Sequence, residues 1–600
     1  MLKQFSGAFI LQSAFLSLLV GGSAAAQEFK SEGIIEWKKP KEIRISLYDI
    51  RKSVYFIGAQ YLETPANLPW LLDVKAISSN GNVSSVTIER SAYLAATSEE
   101  IAIIGSTEIG KAPLVNAETI IERGKPFVSL QILPFRKING QIEKLTSYEL
   151  KILFSGSVTN SFSRSTAGSS VLSSGSWHKI GITSSGVFKL SKSFLTTLGL
   201  NVSGDPRNIR LFGNGGAQLP ERNNLYYPDD LIENAIYFQG EADGSFNDED
   251  FMLFYGQGPV IWSYDGNVFR QSKNNYADTA WYYLIADNSK GKRIVTQPQS
   301  SQNATAAVTQ FDDYSFIEND EENLIRSGRR WFGNRMEIVN SHSFSFDFPN
   351  IAAGPYKLVS RVAAKHAEPT VFSINVAGSS FNQTVSQVES AFDGVYADEK
   401  ETVSLFSTAS SSIPVTITKT TSGGTGWLDY LVINVKRNLI FAGSQLAFRN
   451  QSFTGSGNVL TYQLAAAGSN LKVWEITNIY DVHEQQYSFS GSTISFTANA
   501  DSLRQFVALD PVGVFPSVFA GGSVPNQNLH GTGQVTFIIV ATPQLAGPAN
   551  KLAQHHRDFD GMTVQVVSPK QIYNEFSSGK QDIAAIRNYV RMLYERFPGE

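Results

Sequence analysis

One change of hydrophobic period, close to the end of the chain, constrains the fold more than any other feature. Up to about residue 520 the apolar residues fall in short runs and alternations, as in strands; later they group as strand, helix, strand, helix. Val535, Phe537, Ile538, Ile539 and Val540 form a run with the length and β-branching of a buried strand. Residues 543–557 read as a helix able to align Leu545, Ala549, Leu552 and Ala553, and 562–567 as a second strand. In 582–596, Ile583, Ile586, Val590 and Leu593 recur at three- and four-residue steps, which predicts an amphipathic helix. This order predicts a parallel α/β unit, with 535–540 and 562–567 as adjacent parallel strands and the helices packed against them. Two parallel strands and two helices leave sheet surface uncovered, whereas parallel sheets are buried on both faces. A third strand is therefore expected after Phe597-Pro598-Gly599-Glu600, and the sequence is expected to be the N-terminal portion of a longer protein, cut inside its C-terminal domain.

The 600 residues correspond to about three to five domains. At 42% hydrophobic and 17% charged, the composition is that of folded domains. A net charge of −4 gives no electrostatic reason to expect a nucleic-acid partner. The 39 Phe, 23 Tyr and 48 Gly favour many strands joined by tight turns. Lys3 precedes an apolar stretch over 8–20, and Ser23-Ala24-Ala25-Ala26 suits signal peptidase, so 1–26 read as a cleaved secretory signal. No later segment approaches the ~20 continuous apolar residues of a spanning helix. The sequence contains no Cys, so its folds rest on core burial without disulfides. Thiolate metal sites and a cysteine nucleophile are thereby excluded within these residues.

Residues 27–155 read as an N-terminal β domain, whose clearest piece is the pair of runs 127–135 and 145–154 around Asn139-Gly140. An Asn-Gly pair between apolar runs is a strong hairpin signal. The Ser- and Thr-rich tract 156–175 reads as a linker. Residues 176–305 read as a β-rich domain that opens with alternating apolar residues from Trp177 to Ile182 and turns at Ser185-Gly186. Ile209-Arg210-Leu211-Phe212 then runs into the turn Gly213-Asn214-Gly215-Gly216. Residues 306–440, with runs at 344–348, 356–362, 371–376 and 428–435, predict a β-sandwich. Residues 441–520 read as a connecting β segment that leads into the α/β unit, 521–600.

Three motifs invite a chemical reading. The Gly213–Gly216 turn lacks the Lys-Ser/Thr of a phosphate loop and reads as a structural turn. Asp243, Asn247 and Asp250 sit in an acidic loop before an apolar strand and are candidate calcium ligands, because calcium gathers six to eight oxygens. No glutamate stands at the twelfth position, so the loop is not an EF-hand, and a solvated acidic turn is the alternative. His555 and His556 are neighbours near a helix end, about 100° apart around the axis, and suit the helix dipole better than a metal.

Asn528-Leu529-His530, Ile539-Val540-Ala541-Thr542-Pro543 and the long run from Gln571 to Arg587 resemble the N-terminal part of a gingipain-type cysteine peptidase domain. Upstream, Trp177-His178-Lys179-Ile180, the 211–220 turn, Asp229-Asp230-Leu231-Ile232-Glu233-Asn234-Ala235, Gly240-Glu241-Ala242-Asp243-Gly244, Phe254-Tyr255-Gly256-Gln257-Gly258-Pro259 and Ser327-Gly328-Arg329-Arg330-Trp331-Phe332-Gly333 resemble the sortases of the type IX secretion system. The first domain more loosely resembles a gingipain propeptide. The resemblance implies β domains of sandwich type followed by the first half of a caspase/gingipain-like α/β domain. It implies a cell-surface endopeptidase of a Gram-negative bacterium that removes the C-terminal sorting domain of exported cargo and attaches the cargo to lipopolysaccharide. Cargo, outer-membrane secretion components and lipopolysaccharide would be its partners, and it would require no cofactor beyond the calcium considered above. The family nucleophile is a Cys paired with a His in the second half of the domain, so no catalytic residue is expected before Glu600, and the 600 residues alone are expected to be inactive. His530, His555 and His556 do not match the family motif.

Two other classes stay open at this point. An outer-membrane β-barrel would need repeated ten-residue strands, which the α/β end argues against. A non-catalytic adhesin or sugar-binding protein is suggested by the sandwich at 306–440, though fold alone does not give function.

Overall fold

The computed structural model describes residues 27–597 except 45–49, 62–67, 78–81, 106–108, 123–124, 156–166, 224, 327, 329 and 389–393. The expected signal segment 1–26 and the first half of the expected linker lie outside the described residues. The chain divides into two compact units, Met1–Arg164 and Ser165–Glu600.

In the first unit, Gln141–Ser155 runs antiparallel between Gln27–Ile34 and Asn82–Ala95. A second sheet has the order Gln60–Tyr61, Pro69–Ala76, Lys125–Leu133, Leu114–Glu122. Alternate residues of the two long strands, Val128, Leu130 and Ile132 against Leu150, Ile152 and Phe154, point into one core. Asn139 (φ 49°) and Gly140 (φ 82°) form the two-residue turn between Phe135–Ile138 and Gln141–Ser155, a turn that needs positive φ at both positions. Pro134, which has no N–H for a ladder, separates Lys125–Leu133 from Phe135–Ile138, and there the chain passes between sheets. A short helix, Ser98–Ile104, begins with a capping box between Thr97 and Glu100. Glu100 also meets the buried Lys144 ammonium at 2.6 Å.

The second unit opens with a five-stranded antiparallel sheet in the order Glu233–Asn234, Ile209–Phe212, Ala280–Ala286, Trp177–Ile182, Phe519–Val524. Every residue of Trp177–Ile182 is buried, since this strand lies inside the sheet and is covered on both faces. Ile180, Ile182, Leu211, Tyr282 and Leu284 pack one face against Phe188, Leu190, Met252 and Phe254 of a second, three-stranded sheet. The predicted sandwich is present: one sheet is built on Gln310–Glu318, Thr425–Asn438, Gly354–Lys365 and Asp398–Thr408. The other has the order Ser341–Asp347, Ser412–Lys419, Thr370–Val376, Ser379–Val385. Phe372, Val415, Ile417, Leu431 and Ile433 lie in the core between them.

Residues 441–520, read from sequence as a connection, hold their own two sheets and a core around Phe448, Tyr462, Phe496 and Phe506. Two of their strands come from far upstream: Val295–Gln297 pairs in parallel with His483–Gln485, and Ala306–Val308 with Val459–Leu464. Strands of three residues whose partners lie about 150–190 positions away leave no local signature.

The C-terminal segment forms the predicted parallel pair, with Phe537 opposite Val564 and Val540 opposite Val567. Helices Ala546–Phe559 and Ile583–Arg596 accompany it, with an additional helix, Pro569–Phe576. The last helix buries part of the stripe read in sequence, Leu593 fully and Ile586 partly, together with residues outside that stripe. Ala585, Asn588, Tyr589, Met592 and Leu593 face inward, while Ile583 and Val590 are 62% and 44% exposed. Two adjacent apolar stripes exist on this helix, and the one with the larger side chains, Tyr589 and Met592, fills the core with Ile572 and Phe576. Likewise Ala549 and Ala553 are buried while Leu545 and Leu552 are exposed. Among the described residues no helix is long and apolar enough to cross a membrane.

Candidate functional site

The α/β segment is seated on the β structure by the loop that follows its middle helix. Pro569–Phe576 starts at Ser568, whose hydroxyl accepts from the Gln571 N–H while the Gln571 side chain accepts from the Ser568 N–H. The helix ends in two left-handed residues, Ser578 (φ 52°) and Gly579 (φ 80°). A Cβ at Gly579 would lie 2.5 Å from the Tyr283 hydroxyl, so both space and backbone require glycine there. Beside it the Tyr283 hydroxyl donates to Asn574 Oδ1 at 2.9 Å.

This loop reaches into the turn that sequence reading separated from phosphate loops. Ser578 Oγ accepts from Asn214 N–H and donates to the Trp281 carbonyl, each at 3.1 Å. The fully enclosed Lys580 ammonium donates to the Gly215 carbonyl at 2.7 Å. Burial lowers its pKa to about 8 against the opposing pull of the Asp582 carboxylate. Asp582 accepts from Leu219 N–H at 2.9 Å and caps the last helix through Ala584 N–H at 2.8 Å; burial raises its pKa. Arg587 then donates to the carbonyls of Pro220 and Glu221. The Gly213–Gly216 turn is thus a socket for protein: its Gly215 carbonyl and Asn214 N–H bind the C-terminal segment.

A second anchor lies at His530, which is fully buried and stacked on Phe576 at 4.5 Å. Its Nδ1 lies 2.6 Å from Glu575, and its Nε2 lies 3.2 Å from the Asp229 carbonyl and 3.6 Å from the Asp229 carboxylate. Glu575 also accepts from the N–H groups of Leu529 and His530 and from the Gln527 amide. Burial opposes a charge on the ring, but hydrogen bonds to Asp229 and Glu575 and the nearby Asp230 outweigh it and raise the pKa to about 9. Asp229 is lowered: burial is outweighed by His530 and the Ala167 amide, while burial raises Asp230. Arg596, from the last helix, donates to the carbonyls of His530 and Ala167. An imidazolium with both N–H groups committed is a clamp, and it has no lone pair for general-base work.

The calcium candidates Asp243, Asn247 and Asp250 lie in one loop and are joined to one another by hydrogen bonds. Asp243 accepts from Ser245 N–H and from the Asn247 amide nitrogen, while Asp250 accepts from Asn247 N–H. Among the described residues no group of three or more His, Asp or Glu is placed to hold a metal. His556 lies in the last turn of its helix and meets Asp560 at 2.6 Å; His555 stacks beside Phe559. Sequence reading assigned no role to Asp229, Glu575, Lys580 or Asp582, although all stand in the runs that carried the resemblance. Charged residues at positions that tolerate no solvent were the available signal, but their burial depends on partners about 45–370 residues away.

Residues 530–599 match peptidase family C25, the gingipain family of cysteine peptidases. Among solved structures, dimeric latent PorU from Porphyromonas gingivalis matches with 25% sequence identity and a TM-score of 0.65, over 72% of this chain and 41% of that chain. The chain is therefore similar to a type IX secretion sortase, over less than half of that protein's length. A Paenibacillus sp. cycloisomaltooligosaccharide glucanotransferase (9% identity, TM-score 0.13, 33% of this chain and 44% of that chain) resembles it only slightly. The same holds for a Paenibacillus xanthan lyase (11% identity, TM-score 0.15, 76% and 50%). No curated protein matches the chain.

Proposed function

We propose that this chain is the β-platform and first part of the catalytic domain of a type IX secretion sortase. In this reading the complete protein is exported, acts at the outer membrane surface, cleaves the C-terminal sorting domain from secreted cargo and attaches the cargo to lipopolysaccharide. The observation that carries it is the C25 match at 530–599 on a chain with the PorU fold. Chemically, a Cys thiolate would attack the scissile carbonyl, a His would move the proton and backbone amides would hold the oxyanion. The 600 residues contain no Cys, and His530 is committed to carboxyl partners, so the platform holds the domain and the nucleophile comes from further sequence. The test uses a peptide spanning a cargo sorting-domain junction, incubated with the 600-residue chain and with the protein extended through its coding sequence. Thiol-sensitive cleavage by the extended protein alone is expected; cleavage by the 600 residues overturns the assignment.

Calcium at Asp243, Asn247 and Asp250 is carried as a separate proposal, in which the ion replaces the loop's internal hydrogen bonds. Binding to the folded loop alone would raise the melting temperature in millimolar calcium, and Asp243→Ala would abolish the rise. An unchanged melting curve leaves the loop closed by hydrogen bonds only.

A further inference from the structure

The strand Gly186–Ser191 treats its outer edge unevenly. The Val187 N–H donates to Gln445 Oε1 at 2.7 Å, and the Val187 carbonyl accepts from Gln445 Nε2 at 3.2 Å. A side-chain amide thus stands where a neighbouring strand would be. Successive residues in an antiparallel pair turn their peptide groups alternately toward and away from the partner strand. Val187, opposite Tyr255, turns away, so Lys189, opposite Leu253, turns away as well. No loop backbone or side chain among the described residues takes the Lys189 peptide group.

That group borders a cleft of ≈ 350 Å³ with Leu190 and Phe194 on one wall and Val514, Phe515, Pro516 and Val518 on the other. Residues 514–518 are outside every sheet, and Val514 is 86% exposed. The open Lys189 peptide group therefore faces this cleft, while across it the Val514 N–H donates to Ser444 Oγ at 3.0 Å. Lys189 is the single charged residue of its lining, and no carboxylate balances it there. The Lys189 ammonium rests 3.9 Å from the centre of the Phe251 ring.

We propose that this cleft takes an extended peptide segment of a partner protein, with apolar and acidic residues in alternation, as an added strand on the Lys189 edge. The peptide's carbonyl and N–H complete the open Lys189 pair. Its apolar side chains enter between Phe194 and Phe515, and a carboxylate meets the lysine charge. The inference is independent of the peptidase reading, because it concerns binding alone.

Fluorescence anisotropy on the 600-residue chain tests it, with a fluorescein-labelled peptide of alternating valine and glutamate and a valine–lysine peptide as control. Lys189→Pro removes the outward N–H without breaking a ladder bond. Val514→Asp places a charge on the apolar wall at an exposed position. The valine–glutamate peptide is expected to bind saturably, and each variant, like the control peptide, to bind about tenfold more weakly, a difference near 1.4 kcal/mol. Melting should be unchanged for Val514→Asp, which decides alone if Lys189→Pro does not fold. Equal binding of both peptides, absence of saturable binding, or undiminished binding by Val514→Asp overturns the proposal.

Discussion

His530 shows how one residue can be prominent in sequence and acquire its role only from distant partners. Its ring is closed in by Asp229, some 300 positions upstream, by Glu575 downstream, and by the carboxyl of Asp230; Arg596 approaches its carbonyl. Removing a buried charged partner leaves the others uncompensated, so His530→Gln should destabilise the second unit by about 3 kcal/mol in urea unfolding at pH 7. The folded pKa, about 9, exceeds the ordinary 6.5, so the folded state holds the proton more tightly. The stabilisation is whole below pH 6.5 and fades as the pH rises through about 9. Plotting wild-type stability minus that of His530→Gln against pH should show this fall, and a flat difference would remove the charge from the explanation. Sequence showed the Asn528-Leu529-His530 resemblance, but burial of the ring follows from long-range packing that no local pattern records.

At the scale of elements, legibility followed sequence distance. The Asn139-Gly140 hairpin, the parallel strand pair and the two longer C-terminal helices are written in residues within about 30 positions of one another. The helix Pro569–Phe576 was not singled out, although Ser568, Pro569 and Gln571 carry a capping box and a proline in the first turn. Ser568→Ala should cost about 1 kcal/mol through loss of this cap. Gly579→Ala should cost more, about 1–3 kcal/mol for a side chain forced into a left-handed conformation, and here also against Tyr283. Chemical unfolding of the two variants ranks them; a smaller loss at Gly579 than at Ser568 would mean that the socket yields to an added methyl group. The domain at 441–520 stayed hidden because its sheets borrow Val295–Gln297 and Ala306–Val308.

For the whole molecule, the account holds that the β structure and the peptidase-like segment fold and open together. Lys580 in the Gly215 socket, Asp582 on Leu219, Tyr283 on Asn574 and the His530 clamp all join residues from before 290 to residues after 525. Phe519–Val524, which leads into that segment, is itself a strand of the platform, paired with Trp177–Ile182. Built this way, the segment is held at a fixed position on the β sheets of its own unit. Hydrogen exchange of the full chain, wild type against Lys580→Ala, tests this most directly. The variant leaves the Gly215 carbonyl without its buried donor. The account predicts that protection falls together in residues 209–219 and 569–597. Loss confined to 577–583, with both flanking regions as protected as before, would contradict it.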